Sequence, residues 1–225
     1  MNKYAVLVAG GSGSRMGSSL PKQFLHLQGK PILIHTLSAF KEAFEDIHIL
    51  LVLPEAYIDY TREILEQNNF IHPVEFVIGG ETRFHSVQNG LKQITGEGIV
   101  FVHDAVRCMI TPTLIRRCFE QAVERGSAIP VIPMKDSVRA LDGKEQHHAV
   151  DRASLCLVQT PQTFRSAVLL PAFECDYQVS FTDEATVVEA SGHQVYLING
   201  EDTNIKITSP VDMLIAEAYL DKRNS

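Results

Sequence analysis

Short apolar runs alternate along the chain with longer segments in which apolar residues recur at helical spacing. The runs predict strands over 4–9, 47–53, 74–78, 99–104 and 128–133. The intervening segments predict helices over 31–44, 54–67, 79–94 and 111–126. Strands that are apolar on both faces and separated by helices are typical of a mostly parallel sheet covered on both sides. The pattern therefore predicts a three-layer α/β/α sandwich that binds ligands at the carboxyl ends of its strands.

One predicted helix carries signals at both of its ends. Thr111 is a candidate N-cap, Pro112 takes the first helical position, and Gly126 follows the last turn. A hydroxyl cap, a proline in the first turn and a glycine just past the end are the residues that helix termini favour. We therefore expect this helix to start after Thr111 and to stop before Gly126.

The segment 135–164 departs from this alternation, because it is polar and shows no helical period. Two short alternating stretches flank the residues "DGKEQ", which predicts a β-hairpin arm projecting from the sheet. An isolated two-stranded ribbon is marginally stable in water, so we expect the arm to pack against a second copy of the chain in a homodimer. A free surface hairpin is equally compatible with the pattern alone.

The composition limits the classes of function. The chain has 225 residues, 45% of them hydrophobic, and no repeat or linker divides it, so we expect a single domain over 1–225. Asp and Glu number 27 against 20 Lys and Arg, and the net charge of -7 argues against a nucleic-acid partner. The apolar runs are shorter than a membrane span, and the first residues enter a strand directly, so we expect neither membrane insertion nor export.

The cysteines bear on the cellular compartment. Cys108, Cys118, Cys156 and Cys175 form no C-x-x-C pair and show no metal-ligand spacing. Scattered cysteines of this kind are typical of reduced thiols. We therefore expect a cytoplasmic protein without a zinc site.

A glycine-rich string follows the first predicted strand, and residues 7–25 read "LVAGGSGSRMGSSLPKQFL". A dinucleotide-binding fingerprint needs a glycine where Met16 stands, and a P-loop needs Gly-Lys-Ser/Thr where the chain has "GSS". The string still predicts a loop whose glycines let backbone amides approach phosphate oxygens, with Arg15 and Lys22 adding positive charge. A tight turn with incidental surface cations is the structural alternative.

This string resembles the motif "AGGxGxRM", followed by "PKQ", of the sugar-phosphate nucleotidyltransferases. Over nearly the whole chain, further stretches resemble the 2-C-methyl-D-erythritol 4-phosphate cytidylyltransferase family in order and spacing; they are "GGETRFHSV", "VHDAVR", "VDRASLCLVQTPQTF", "FTDEATVVEASG" and "TNIKITSPVDM". The resemblance implies a Rossmann-like nucleotidyltransferase fold. It also implies transfer of a cytidylyl group from CTP to 2-C-methyl-D-erythritol 4-phosphate, with release of pyrophosphate, in the non-mevalonate route to isoprenoid precursors.

The resemblance further implies a set of site residues. The catalytic residues would be Arg15, Lys22, Arg152 and Lys206. The nucleotide-binding residues would be Ala9, Gly10, Gly11, Gly13, Gly80, Glu81, Ser86, Asp104 and Ala105. The acceptor-binding residues would be Ser137, Arg152, Thr160, Thr182 and Lys206, with Ser137 and Arg152 contributed by the arm. Asp104, at the end of a predicted strand, would hold Mg²⁺ or another divalent cation.

The implied chemistry depends on cations more than on a base. A phosphate monoester, whose second pKa is about 6, is already a dianion near neutral pH and can attack without a general base. The obstacle is the approach of one anion to the α-phosphorus of another. Arg15, Lys22 and Lys206, together with a metal, would reduce that repulsion.

Several of these residues also have a structural interpretation. Asp104 could cap a turn, Ser86 could be an ordinary helix-surface hydroxyl, and Thr182 could be a helix N-cap. Arg83, close to the predicted base site, could be a solvated surface cation. His103 is expected to be a packed histidine, because an isolated histidine beside a strand end is more often structural.

Two other functions fit part of the sequence. Val106 and Cys108 depart from the usual form of the family motif, and "HDAVR" is more typical of the related ribitol-5-phosphate cytidylyltransferases. The alternative from another class is a nucleotide-binding regulator that kept the fold and lost catalysis. The presence of Arg15, Lys22 and Lys206 argues against that regulator.

Overall fold

The computed structural model describes residues 1–11, 20–143 and 145–224. The strands are β1 (Asn2–Val8), β2 (His26–Leu27), β3 (Lys30–Pro31), β4 (His48–Leu53), β5 (Val74–Ile78), β6 (Gly98–Asp104), β7 (Ser127–Pro133), β8 (Val138–Leu141), β9 (His147–Val150), β10 (Cys156–Val158), β11 (Gln162–Arg165) and β12 (Leu197–Asn199). The α-helices are α1 (Ile32–Ala43), α2 (Ile58–Gln67), α3 (Arg83–Leu91), α4 (Pro112–Arg125), α5 (Ser166–Ala172), α6 (Glu184–Ala190) and α7 (Pro210–Asn224). Short 3₁₀ turns cover Lys22–Phe24, Glu55–Tyr57 and Arg152–Ser154.

Within the described residues, eight strands form the central sheet, along the path β10–β7–β11–β6–β1–β4–β5 with β12 paired beside β7. β1 runs parallel to β4 and β6, β4 runs parallel to β5, and β12 runs parallel to β7. β10 and β11 are antiparallel to their neighbours. The predicted mostly parallel sheet is confirmed.

Alternate residues of the central strands face opposite layers of helices. In β1, Ala5 and Leu7 join a buried cluster with residues of α1, α2 and α4, whereas Tyr4 and Val6 join a cluster with residues of α3, α5 and α6. A sheet that is apolar on both faces has to be covered on both faces. The predicted three-layer arrangement is therefore confirmed.

Helix α4 has the ends that the sequence predicts. The Leu114 N–H donates to the Thr111 hydroxyl oxygen at 3.1 Å, and Pro112 is the first helical residue. Gly126 follows the helix with a φ of 96°, in the left-handed region that favours glycine, and its N–H donates to the Ala122 carbonyl at 2.9 Å. The N-cap and the glycine stop are both confirmed.

Helix α3 approaches the sheet closely at Gly90. A Cβ built there would lie 2.6 Å from Val6 Cγ1 and 3.1 Å from Val52 Cγ2. A close-packed interior has no room for such an atom, so any side chain at Gly90 would push α3 away from β1 and β4. Because Arg83 and Ser86 belong to the same helix, this contact also sets their distance from the strand ends.

The arm predicted over 135–164 is a hairpin only in its first half. β8 and β9 pair antiparallel, with Val138 opposite Val150 and Leu141 opposite His147. β10 pairs with β7 instead, and β11 lies between β6 and β7 in the central sheet. The prediction is therefore wrong beyond β9, because strands of three or four residues are too short for their periodicity to reveal a place in the sheet.

The cysteines agree with the predicted unpaired thiols. All four are free, with Cys108 and Cys118 buried and Cys156 and Cys175 exposed. Burial raises the pKa of Cys108 and of Cys118 to about 12, so both thiols stay protonated near neutral pH. In the part of the chain that the structure describes, no helix is both long enough and apolar enough to cross a membrane.

We expect Gly90→Ala to lower the free energy of unfolding by about 1–3 kcal/mol, because the added methyl group overpacks the contact between α3 and the sheet. Helix propensity alone favours alanine over glycine by about 1 kcal/mol and would raise the free energy of unfolding. A decrease therefore indicates overpacking. Urea denaturation measures the effect.

Gly143→Ala is the matched control, since a Cβ there meets no atom of the described residues within 4 Å, and its free energy of unfolding should stay near wild type. In a Val6→Ala background, Gly90→Ala should cost less, because the nearest clashing methyl group is gone. Stabilisation by Gly90→Ala, or an equal cost in both backgrounds, would contradict the close approach of α3.

Candidate active site

A cavity of about 390 Å³ opens at the carboxyl ends of the parallel strands. The register places Val8 opposite Val52 of β4 and opposite Asp104 of β6, so the loops that follow these strands meet. This is where the strand pattern predicts a ligand. The predicted site residues that line the cavity are Ala9, Gly10, Gly11, Lys22, Gly80, Glu81, Ser86, Asp104 and Lys206.

The start of the glycine loop is fixed to the sheet. The Ala9 N–H donates to the Val52 carbonyl at 2.7 Å, and the Gln23 side-chain amide donates to the Ala9 carbonyl at 2.7 Å. Gly10 and Gly11 then bring backbone, without a Cβ, to the cavity wall. The other predicted residues of this loop, Gly13 and Arg15, lie outside the described residues.

Lys22 is buried at the edge of the same cavity. It begins the 3₁₀ turn Lys22–Phe24 and is only 8% exposed. Its Cε lies 3.6 Å from the position that a Cβ on Gly11 would take, so the lysine stem runs beside the glycine loop. A lysine held this close to peptide backbone offers an anionic ligand a positive charge and amide groups together.

Cationic side chains surround the carboxylate of Asp104. Lys206 Nζ lies 2.7 Å from Oδ2, Arg83 Nε lies 3.1 Å from Oδ1, and Arg107 Nε lies 3.9 Å from Oδ2. Burial raises the pKa of Asp104, but the positive charges of Arg83 and Lys206 outweigh that effect and hold the pKa well below its usual range. Asp104 is therefore ionised at neutral pH.

Glu184 holds the two terminal nitrogens of Arg83, whose Nε contacts Asp104. Arg83 Nη1 donates to Oε1 of Glu184 at 2.5 Å and Nη2 donates to Oε2 at 3.1 Å, which is a bidentate pair. Burial raises the pKa of Glu184, which is 1% exposed, although the charge of Arg83 opposes the rise. The interpretation of Arg83 as a solvated surface cation is wrong, because its guanidinium nitrogens bond two buried carboxylates, Asp104 and Glu184.

Lys206 is fixed through its backbone, and its ammonium group stays accessible. The neighbouring Ile207 is fully buried and donates its N–H to the Val106 carbonyl at 3.0 Å. The Lys206 side chain is 40% exposed at the cavity. An anion that enters the cavity can therefore reach the ammonium group without moving the chain.

The loop after β5 folds around Ser86. The Gly80 N–H donates to the Ser86 hydroxyl oxygen at 3.0 Å, and that hydroxyl donates to the Thr82 carbonyl at 3.0 Å. A Cβ on Gly80 would lie 2.4 Å from the Cβ of His85, so the turn needs a glycine there. The hydroxyl of Ser86 thus shapes the wall of the cavity from inside rather than resting on a helix surface.

The end of β6 is supported by residues that do not line the cavity, namely His103, Ala105 and Thr160. The Asp104 N–H donates to the Thr160 hydroxyl oxygen at 3.1 Å, and that oxygen lies 2.9 Å from His103 Nδ1. Burial lowers the pKa of His103 to about 3, which keeps it neutral. The Ala105 N–H donates to the Val8 carbonyl at 3.0 Å. The prediction of a packed His103 is confirmed.

Three further predicted residues, Ser137, Arg152 and Thr182, are exposed and do not line the cavity. Arg152 Nη1 donates instead to the Lys135 carbonyl at 2.6 Å. Asp183 is the N-cap of α6, and its side chain accepts the Thr186 N–H at 3.0 Å. The interpretation of Thr182 as the N-cap is therefore wrong by one residue.

The cavity can offer a divalent cation one buried carboxylate. Among the residues that the structure describes, no group of three or more His, Cys, Asp or Glu side chains could hold a metal. Asp104 is ionised, but Arg83 and Lys206 already contact its oxygens. Mg²⁺ is commonly held by one or two carboxylates and completed by substrate phosphates and water. The donor set therefore fits Mg²⁺ shared with a bound phosphate group and does not fit a cation held by these protein side chains alone.

Three residues that surround or support Asp104 are missing from the predicted set of site residues: Arg83, which the sequence places only near the base site, Arg107 and Glu184. Arg107 follows Asp104 by three residues within "VHDAVR", and that short spacing is the signal that could have identified it. Glu184 opens a helix, where an acidic residue is ordinary because it complements the helix dipole. Nothing local in the sequence indicates that its carboxylate points to Arg83.

The comparisons with known proteins agree over the whole chain. A family model described as IspD, 2-C-methyl-D-erythritol 4-phosphate cytidylyltransferase, matches residues 4–222. The protein of that name from Bacteroides fragilis is 47% identical over 220 residues, which cover 98% of this chain and 100% of the relative. The one from Phocaeicola vulgatus is 44% identical with the same coverage.

Solved structures give the same result at lower identity. The 4-diphosphocytidyl-2C-methyl-D-erythritol synthase of Anaerococcus prevotii superposes with a TM-score of 0.83 at 27% identity, covering 98% of both chains. The 2-C-methyl-D-erythritol 4-phosphate cytidylyltransferase of Thermus thermophilus has a TM-score of 0.76 at 31% identity, covering 98% of this chain and 100% of that one. The chain belongs to the 2-C-methyl-D-erythritol 4-phosphate cytidylyltransferase family of nucleotidyltransferase enzymes.

Proposed function

We propose that this chain transfers the cytidylyl group of CTP to 2-C-methyl-D-erythritol 4-phosphate, giving CDP-methylerythritol and pyrophosphate for isoprenoid precursor synthesis by the non-mevalonate route. The family match over residues 4–222 supports the reaction. The observation that carries the proposal is the meeting of the glycine loop, Lys22, Asp104 and Lys206 in one cavity at the strand ends. A site of this kind suits two phosphate-bearing substrates. The reduced state expected for its thiols suits a cytoplasmic enzyme.

The acceptor phosphate is the nucleophile, and cations control its approach. One of its oxygens attacks the α-phosphorus of CTP, the bond from that phosphorus to the bridging oxygen breaks, and pyrophosphate leaves with the electron pair. We assign the triphosphate to the glycine loop, with Lys22 and Arg15 beside it. Lys206, accessible at the cavity and held by Asp104, would receive the acceptor phosphate. No general base is needed, since the phosphate enters as a dianion.

The same cavity suits a metal and a pyrimidine base. A bound Mg²⁺ would supply neutralisation of phosphate charge, with Asp104 as its protein ligand beside the phosphate oxygens. The cytosine would lie against the loop after β5, where Gly80 and Glu81 line the cavity and Ser86 fixes the turn. A small, rigid wall of this type favours a single-ring base.

The arm suggests that each site is completed by a second subunit. β8 and β9 form a two-stranded sheet of their own, and Leu141 in it is 78% exposed. Such a hairpin is marginally stable unless another surface covers it. Arg152, which follows the hairpin, is exposed and absent from the lining of its own cavity. We therefore assign Arg152 to the acceptor phosphate in the site of a partner subunit within a homodimer.

A panel of CTP, ATP, GTP and UTP against two acceptors tests the reaction. We expect pyrophosphate release only with CTP and 2-C-methyl-D-erythritol 4-phosphate, and only with a divalent cation present. Preference for ribitol 5-phosphate would identify the chain as a ribitol-5-phosphate cytidylyltransferase instead. CTP binding without turnover of either acceptor would instead indicate the regulator.

Lys22→Ala should lower kcat by about 100-fold or more and weaken CTP binding far less, because a preorganised charge matters most when charge develops between the phosphates. Single-turnover kinetics and calorimetric titration with CTP separate the two effects. Lys92→Ala, which removes an exposed lysine, is the control for net charge and should behave as wild type. A large loss of CTP affinity with unchanged kcat would make Lys22 a binding residue only.

Mixed dimers test whether Arg152 acts across the interface. Lys22→Ala and Arg152→Ala should each be nearly inactive alone. After co-refolding in equal amounts, random pairing gives half mixed dimers with one intact site each, so activity should recover to about a quarter of wild type if Arg152 acts in trans. Arg139→Ala, in the hairpin that precedes Arg152, controls for damage to the arm and should stay active. Mixed dimers that form and stay inactive would place Arg152 in its own subunit's site.

A further inference from the structure

The bidentate pair between Glu184 and Arg83 lies at the wall of the cavity, with Arg83 at the surface of that wall and Glu184 buried. Glu184 is 1% exposed and does not line the cavity, whereas Arg83 does. A carboxylate withdrawn from water to this extent is costly unless a partner satisfies both of its oxygens. Arg83 provides both bonds, through Nη1 and Nη2. The third donor of the guanidinium group, Nε, is then directed at Asp104.

Charges alternate in sign from Glu184 to the cavity. Arg83 lies between the carboxylates of Glu184 and Asp104, and Asp104 contacts Lys206 at 2.7 Å. A planar guanidinium group that donates two hydrogen bonds to one carboxylate has a fixed orientation. With only the hydrogen bond from Nε, the group could rotate about that hydrogen bond. Arg83 Nε contacts Oδ1 of Asp104, and Lys206 Nζ contacts the other oxygen, Oδ2, so the two cations divide the carboxylate between them.

The backbone of Glu184 is anchored independently of its side chain. The Gln162 side-chain oxygen accepts the Ala185 N–H at 2.8 Å, and its amide donates to Asp183 at 2.8 Å. Asp183 also closes a capping box with Thr186 at the start of α6. These contacts should keep α6 in place when the carboxylate of Glu184 is changed, so the effect of the carboxylate on the cavity can be measured separately.

We propose that Glu184 is a positioning residue, which orients Arg83 so that Asp104 holds Lys206 in place for the acceptor phosphate. This role rests on the proposed function and adds to it a residue that touches neither substrate. Glu184→Gln keeps the shape of the side chain, but its amide group would face an N–H of Arg83, so one of the two bonds becomes a clash of donors.

The first measurement is kinetic. Glu184→Gln should lower kcat/KM for the acceptor by about 10- to 100-fold through misplacement of Lys206, and CTP affinity should stay close to wild type. Asp183→Asn places an amide N–H against the donating amide of Gln162, so it should lower the melting temperature and leave kcat/KM near wild type. In an Arg83→Lys background, Glu184→Gln should cost little more, because the bidentate pair is already lost. An equal loss in both backgrounds, or no loss at all, would overturn the proposal.

The second measurement does not need activity. The Nε–H proton of Arg83, assigned by its absence in Arg83→Lys, should give a separate NMR signal that shifts or disappears in Glu184→Gln and persists in Asp183→Asn. An unchanged signal would overturn the proposal even if the panel of substrates showed a different reaction. If Glu184→Gln does not fold, Glu184→Asp, which keeps the charge but is one methylene too short for both bonds, carries the same kinetic and NMR tests.

Discussion

A buried carboxylate has to be neutralised, and the candidate site depends on how Asp104 meets that requirement. Its partners come from three parts of the chain: Arg83 from α3, Arg107 from the turn after β6, and Lys206 from the segment before α7. Removal of a single carboxylate from water is unfavourable unless such charges surround it. These charges can therefore surround Asp104 only when the sheet, α3 and the C-terminal segment are all folded. The cavity takes its final shape only in the complete fold.

Much of the sheet was predictable, because long strands that are buried on both faces leave continuous apolar runs. For this reason the predicted bounds of β4, β5 and β6 agree with the structure to within one residue, and the capping residues locate α4. The failure was at β10 and β11. Each has three or four residues, and their pairing with β7 depends on contacts distant in sequence rather than on a local period. No pattern within such a short segment separates a hairpin from a sheet strand.

The site was predictable where a residue type and a strand end coincide. Asp104 is the last residue of β6, Gly10 lies two residues after the end of β1, and Lys22 follows the glycine string, so motif and topology agree. Glu184 was not predictable, because its partner lies about a hundred residues earlier and its own surroundings resemble an ordinary helix start. The positions that sequence reasoning could not resolve are those whose chemistry depends on a distant second residue.

The hairpin of β8 and β9 lies between β7 and β10 in the sequence. Strands β7 and β10 pair with each other, with Pro133 opposite Cys156. The base of the hairpin segment is therefore closed by hydrogen bonds between β7 and β10. Because the entropy of closing a loop grows slowly with its length, insertions or deletions at the tip should disturb the base little. The hairpin can therefore change in length or sequence without altering the strand ends that form the cavity, which makes it a natural segment to exchange in chimaeric enzymes.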